Sequence, residues 1–280
     1  MNRFLKLVHM EIHRFRWVLI GLLSITAVCQ ISALIWTLKK ALAQKEEQLL
    51  GDIGRSSYYA DVPDIITFEW AMFNTQMWFI LPILLCIGVL SVYVFFVWYR
   101  DWMGRNTFIY RLLMLPTARH NLYFAKITAF LLFVFTIVAF QLILLPVEEF
   151  VLKLVVPADL RAESHILDVL TINQALVELI PRQFEQFFYK YGLGTVAVLA
   201  IFTAILLERS YRRWGILYGL LYLLGCVLVV TSPIFYFGLN SQIIYLYPNE
   251  IYLLAMFLFI LVASVSVWLG IRLLAKKITV

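Results

Sequence analysis

Residues 76–98 read QMWFILPILLCIGVLSVYVFFVW, and residues 99–126 continue YRDWMGRNTFIYRLLMLPTARHNLYFAK. The first stretch is 23 residues without a charge, and about 20 helical residues suffice to cross the hydrocarbon of a bilayer. Backbone in lipid must satisfy its own hydrogen bonds, so this stretch reads as a membrane-spanning helix. The second stretch carries five Lys and Arg and is too polar to cross. Within it Phe108, Ile109, Leu112 and Leu113 share one helical face, with Arg105 and Arg111 set away from it. Pro116 removes a backbone donor and disfavours helix at Leu115, which predicts the end of a short amphipathic helix there. Such a helix either lies along a membrane or docks on a soluble partner.

Outward from this pair, the chain repeats the same design. Of its 280 residues 63% are hydrophobic and 14% charged, too thin a polar coat for a soluble globule. The apolar residues fall into six blocks: Trp17–Leu38, Gln76–Trp98, Ile127–Pro146, Gly192–Leu207, Trp214–Phe237 and Ile251–Ile271. The fourth is short and is expected to borrow Phe187–Tyr191. The expected fold is an all-α integral membrane protein, a single domain over residues 1–280 with six transmembrane helices. The first block is span-length and is followed by Lys39–Lys40, so it reads as a retained span and not as a cleaved leader.

Charge orients the spans. Segments 1–16, 99–126, 208–213 and 272–280 hold 15 of the 23 Lys and Arg, which predicts that they and both termini are cytoplasmic. The acids are distributed the other way, with only Glu11, Asp101 and Glu208 inside and 14 outside. The +6 net charge is therefore a topology signal, and no compact basic patch with interleaved aromatics points to nucleic acid. Trp17, Trp36, Trp98, Trp102, Trp214, Tyr245, Tyr247 and Trp268 gather near the span ends as an aromatic belt. Cys29, Cys86 and Cys226 fall within spans and read as packing residues.

Residues 1–16 form a basic amphipathic segment, with Phe4, Leu5, Val8, Ile12 and Phe15 opposite Arg3, Lys6, His13 and Arg14. That pattern suits a helix in the inner headgroup layer, an elbow ahead of the first span. Two outer excursions are long. Residues 39–75 begin charged and end aromatic at Phe68, Trp70 and Phe73, while 147–191 begin acidic and run apolar from Ile166 to Ile180 before Pro181. The second is long enough for one or two short helices.

Chemistry-bearing constellations are few. The six blocks contain no Asp, Glu, Lys, Arg or His, which argues against a buried-carboxylate ion relay or an intramembrane metalloenzyme. Glu148, Glu149 and Lys153 resemble the EExxxR signature of membrane-embedded CAAX-type proteases, but Lys stands for Arg and no later span carries a His. The pair reads as an acidic cap at the outer interface. His165 near Asp168 reads as a surface residue, and His9 with His13 as a headgroup-facing pair, with no metal site in either place. No phosphate-binding G-x-x-x-x-G-K-[ST] run occurs, so ATP-driven work would need a second polypeptide. No catalytic residue, cofactor or metal ligand is expected, and the chain does not read as an enzyme.

The run Arg100-Asp101, Gly104, Leu112-Leu113-Met114-Leu115-Pro116, Arg119 and Lys126 resembles the signature segment of ABC-2-type transporter permeases between spans two and three. Glu11, Arg14 and Arg16, leading into Trp17, resemble that family's charged lead into span one. The chain departs from the pattern in having Asp101 as the only acid of the loop and its large outer excursion after span three.

The resemblance implies a half-permease that pairs with a second permease, identical or related, and with two cytoplasmic P-loop ATPase subunits. Arg100, Asp101, Gly104, Arg105, Phe108, Ile109, Leu112, Leu113, Pro116 and Arg119 would form the ATPase-coupling helix and its flanks. Glu11, Arg14 and Arg16 would belong to the elbow, and spans one, two and five would form the interface and substrate route. It further implies export, across the cell membrane of a bacterium, and the aromatic-rich spans without charges point to a lipid, an amphipathic peptide or a hydrophobic antibiotic as cargo. The rival reading is a membrane-embedded sensor or scaffold that binds a cytoplasmic partner and transports nothing.

Overall fold

Apolar blocks of span length leave the backbone no partner but itself, and the chain is helical accordingly. The computed structural model describes residues 3–49, 63, 65–102, 118–162, 166–233 and 247–276. Among them lie helices α1 (Arg3–Leu49), α2 (Phe68–Asn74), α3 (Gln76–Trp102), α4 (Arg119–Val155), α5 (Ile166–Ile172), α6 (Gln174–Leu179), α7 (Phe184–Ser210), α8 (Arg212–Pro233) and α9 (Pro248–Lys276). A single 3₁₀ turn covers Ala158–Leu160. The described residues contain no strand; one parallel bridge joins Ile66 and Arg161. Six of the helices, α1, α3, α4, α7, α8 and α9, are long and apolar enough to cross a membrane. They are the helices of a multi-pass membrane protein.

Five of the six expected blocks lie whole within one of these helices, and most of those helices run past their block. The fifth block lies in α8 as far as Pro233, and its residues 234–237 fall outside the described residues. The amino-terminal segment continues into the first span as one helix over Arg3–Leu49, with no break that would set an elbow apart. Its buried positions there are Leu7, Val8, Glu11 and Phe15, while Leu5 is half exposed. Pro146, expected to end the third span, sits inside α4. One lost hydrogen bond does not break this helix, because Leu145, Leu152 and Val156 on either side are anchored in a shared core. The fourth span does begin early, at Phe184, and takes in Phe187–Tyr191. The stretch from Ile166 to Ile180 makes the two short helices α5 and α6, the second capped by Asn173 Oδ1 accepting from Ala175 N at 3.1 Å.

The chain divides into two compact units. The first comprises Met1–Arg14, Leu90–Leu132 and Gln183–Val280. In it α7 packs on both α8 and α9. Gly215 and Gly219, one helical turn apart on α8, meet the α7 backbone directly. A Cβ on Gly215 would collide with the Glu208 carbonyl, and one on Gly219 would fall 3.0 Å from the carbonyl oxygen of Ala204. Small residues at that spacing let two helix backbones approach where no hydrophobic effect drives them together. Polar contacts add to the seam: Thr203 Oγ1 donates to the Ser266 carbonyl at 3.0 Å, and Tyr222 Oη shares a 2.7 Å hydrogen bond with Ser266 Oγ.

The second unit comprises Phe15–Val89 and Phe133–Arg182. Its core gathers Leu34, Leu38 and Ala41 of α1, Phe68, Ala71 and Met72 of α2, Phe79 and Ile83 of α3, and Leu145 and Leu152 of α4. Val169 of α5 and Leu176 of α6 complete it. Thr67 starts α2, its hydroxyl accepting from Trp70 N at 3.2 Å.

Candidate functional site: a buried ion cluster

A charge on an apolar helix is costly unless a partner is brought to it. In the first unit the partners come from three helices. Glu11 and Arg14 stand three residues apart on one face of α1, Arg100 and Asp101 are adjacent in the last turn of α3, and Lys126 lies two turns into α4. Glu11, Asp101 and Lys126 are each only 1% exposed.

Lys126 is the hub. Its Nζ donates to Glu11 Oε1 at 3.1 Å, to the Val97 carbonyl at 3.0 Å and to Asp101 Oδ2 at 2.5 Å, which uses all three ammonium donors. The ammonium also stands 5.0 Å from the centre of the Trp98 ring, in cation–π range. Arg100 Nη2 reaches Glu11 Oε2 at 3.0 Å, and Arg14 Nη1 reaches Asp101 Oδ1 at 3.1 Å and Glu11 Oε1 at 3.6 Å. Three cations thus surround two carboxylates, with one positive charge in excess. They collect at the carboxyl end of α3, where the helix dipole favours cations. Arg100 Nε remains buried with no partner among the described residues.

Around the cluster the same unit is fastened by further contacts. Tyr99 Oη donates to Glu208 Oε2, and the Arg209 guanidinium lies 5.1 Å from the Tyr99 ring and 5.7 Å from that of Trp102. Arg119 Nη1 donates to the carbonyls of Leu274 and Ala275 at 2.9 and 3.3 Å, a cation set on the last turn of α9.

Of the residues singled out from sequence, Glu11, Arg14, Arg100 and Asp101 are brought together, and Lys126 joins them. Arg16 is exposed, with its guanidinium 5.2 Å from the Trp17 ring. Gly104, Arg105, Phe108, Ile109, Leu112, Leu113 and Pro116 lie outside the described residues, as does His165. Glu149 pairs with Lys153 at 2.5 Å, but Glu148 is wholly buried and so is not an interfacial cap. His9 and His13 are exposed neighbours, ring centres 6.2 Å apart. Among the described residues no group of three His, Cys, Asp or Glu could hold a metal. The three cysteines are free thiols, Cys86 buried and the other two half-buried.

The cluster was half visible in the sequence: Glu11 and Asp101 are two of only three acids on segments otherwise basic. Its buried cation was signalled only by Lys126 standing where the third apolar block begins. The arrangement ties three helix ends together through charge-assisted hydrogen bonds. No protein-family model matches the chain, and no curated protein or solved structure matches it.

Proposed function

We propose that this chain is the membrane half of an ATP-driven exporter of the ABC-2 kind, with both termini cytoplasmic and residues 104–115 docking on a separate ATPase. The observation that carries the reading is the ion cluster. Arg100 and Asp101 stand directly before the proposed docking segment, and Arg119 and Lys126 follow it. The cluster binds those flanks to the amino-terminal turns of α1. A force applied to the segment would therefore be shared by α1, α3 and α4 at once, as a coupling device requires. The excess positive charge and the unmet Arg100 Nε also suit an acidic group offered from the cytoplasmic side.

The partner is a P-loop ATPase pair, with a second permease copy or relative completing the pathway. The cargo is a lipid, an amphipathic peptide or a hydrophobic antibiotic. Affinity capture of the tagged chain from native membranes tests the docking. Wild type should retain an ATPase, and Leu112→Asp with Leu113→Asp should lose it. Capture of a regulator or kinase, with no ATPase under gentle detergent, would replace the exporter with a sensor. ATPase stimulation in the reconstituted complex then ranks the three cargo classes.

A further inference from the structure

Two helical stripes in the second unit lead to buried polar groups that the ion cluster does not use. On α1, Gln30, Leu34, Leu38 and Ala41 recur at helical spacing and are all buried. On α4, Gln141, Leu145, Glu148 and Leu152 do the same. Leu34, Leu38, Ala41, Leu145 and Leu152 belong to one apolar core, so both stripes turn toward it. Gln30, Gln141 and Glu148 are 0, 2 and 0% exposed. Yet both carboxylate oxygens of Glu148, both polar atoms of the Gln30 side chain and Gln141 Nε2 have no hydrogen-bond partner among the described residues.

The other buried polar groups among the described residues of the unit are satisfied. Thr26 Oγ1 donates to the Leu22 carbonyl at 2.8 Å, Thr75 Oγ1 to that of Ala71 at 2.8 Å, and Asn173 caps α6. Among the described residues of the unit the unmet groups are therefore confined to these two stripes, and they include an acid. A carboxylate among leucines without a donor is strongly unfavourable.

We propose that the seam of Gln30, Gln141 and Glu148 binds the protonated amine of an amphiphile. An ammonium supplies positive charge and three donors, which the Glu148 carboxylate and the Gln30 amide oxygen can accept. An alkyl chain matches the leucines above and below. A bare alkali cation would meet the oxygens but leave the amide N–H groups of Gln30 and Gln141 unmet. Those groups favour an amine that carries an oxygen acceptor beside it, as an amino alcohol does. The three side chains are shut away from solvent here, so loading requires the two stripes to part. The proposal concerns binding to this chain alone and stands or falls apart from the exporter reading.

The test uses the purified full chain in nanodiscs, with dodecylamine as probe and dodecanol as its uncharged control. Dodecylamine should bind saturably and about ten-fold more weakly to Glu148→Gln, the effect expected for losing one charge-assisted contact. Glu149→Gln should bind as wild type does, since Glu149 is already paired with Lys153. Equal affinity in Glu148→Gln, or dodecanol binding as tightly as the amine, overturns the proposal. A photoreactive dodecylamine on the wild-type chain reads the site without any variant. Label on the peptides holding Gln30 and 141–148 supports the proposal, and label confined elsewhere overturns it.

Discussion

Glu11 and Glu148 are the same residue on comparable long helices, 1 and 0% exposed, and they are solved in opposite ways. Glu11 in the first unit is met by Arg14, Arg100 and Lys126, contributed by three helices. Glu148 in the second unit has only leucines and an unmet amide on its own stripe. A carboxylate that is met on every side locks its helices into one arrangement, because moving any of them strands a charge. A carboxylate that is met by nothing does not lock anything, and is relieved when something reaches it. Rigidity is thus built at one acid and receptivity at the other.

The comparison breaks first at Lys126. Lys126→Met removes the hub and takes from Glu11 and Asp101 the fully buried cation they share, so unfolding in detergent should show a loss of about 3 kcal/mol or more. Adding Glu11→Gln to it should cost less than the two single losses summed, because both report on one network. A Lys126→Met loss near zero would mean that the cluster carries no structural load.

Next comes the α7–α8 seam, where no charge is involved. Gly215→Leu must drive a side chain into the Glu208 backbone, and thermal unfolding should report a loss of about 2 kcal/mol. The third prediction has the opposite sign. Glu148→Gln removes an unmet charge and should be neutral or stabilising by about 1 kcal/mol. A loss as large as that of Lys126→Met would show that Glu148 is held as firmly as Glu11. The smallest effect is expected at Arg16→Ala, within about 0.5 kcal/mol, since among the described residues the exposed guanidinium meets only the Trp17 ring.

The spans were legible because lipid-facing helices must be apolar over their whole crossing, and composition reads that directly. Their ends were not, because outside the hydrocarbon a helix is held by packing that a hydropathy window does not see. Pro146 shows this best: it closes the apolar block, yet α4 continues to Val155 on the strength of Leu145 and Leu152. Ending the span there is what made Glu148 look like a surface cap. The elbow failed to separate for a related reason. Residues 3–16 carry an amphipathic pattern, but their buried face includes Glu11, which is held toward α3 and α4, so the helix simply continues. Glu11 and Asp101 were readable as scarce acids on basic segments; that Lys126 lies between them needed three dimensions. The close approach at Gly215 and Gly219 had a sequence signal, a pair of glycines one turn apart in an apolar run.

The contact between Arg119 and the end of α9 joins positions 155 residues apart. Gly270 of the same helix leaves room for the Tyr123 ring, to which an added Cβ would come within 3.0 Å. At the pace of a ribosome, the second half of this contact arrives on the order of ten seconds after the first. Through that interval Tyr123 lacks the last helix that buries it, and the early spans wait in the bilayer with an unfinished surface. A chain cut short before α9 would keep that surface for good, a mark by which membrane quality control could tell it from a finished one.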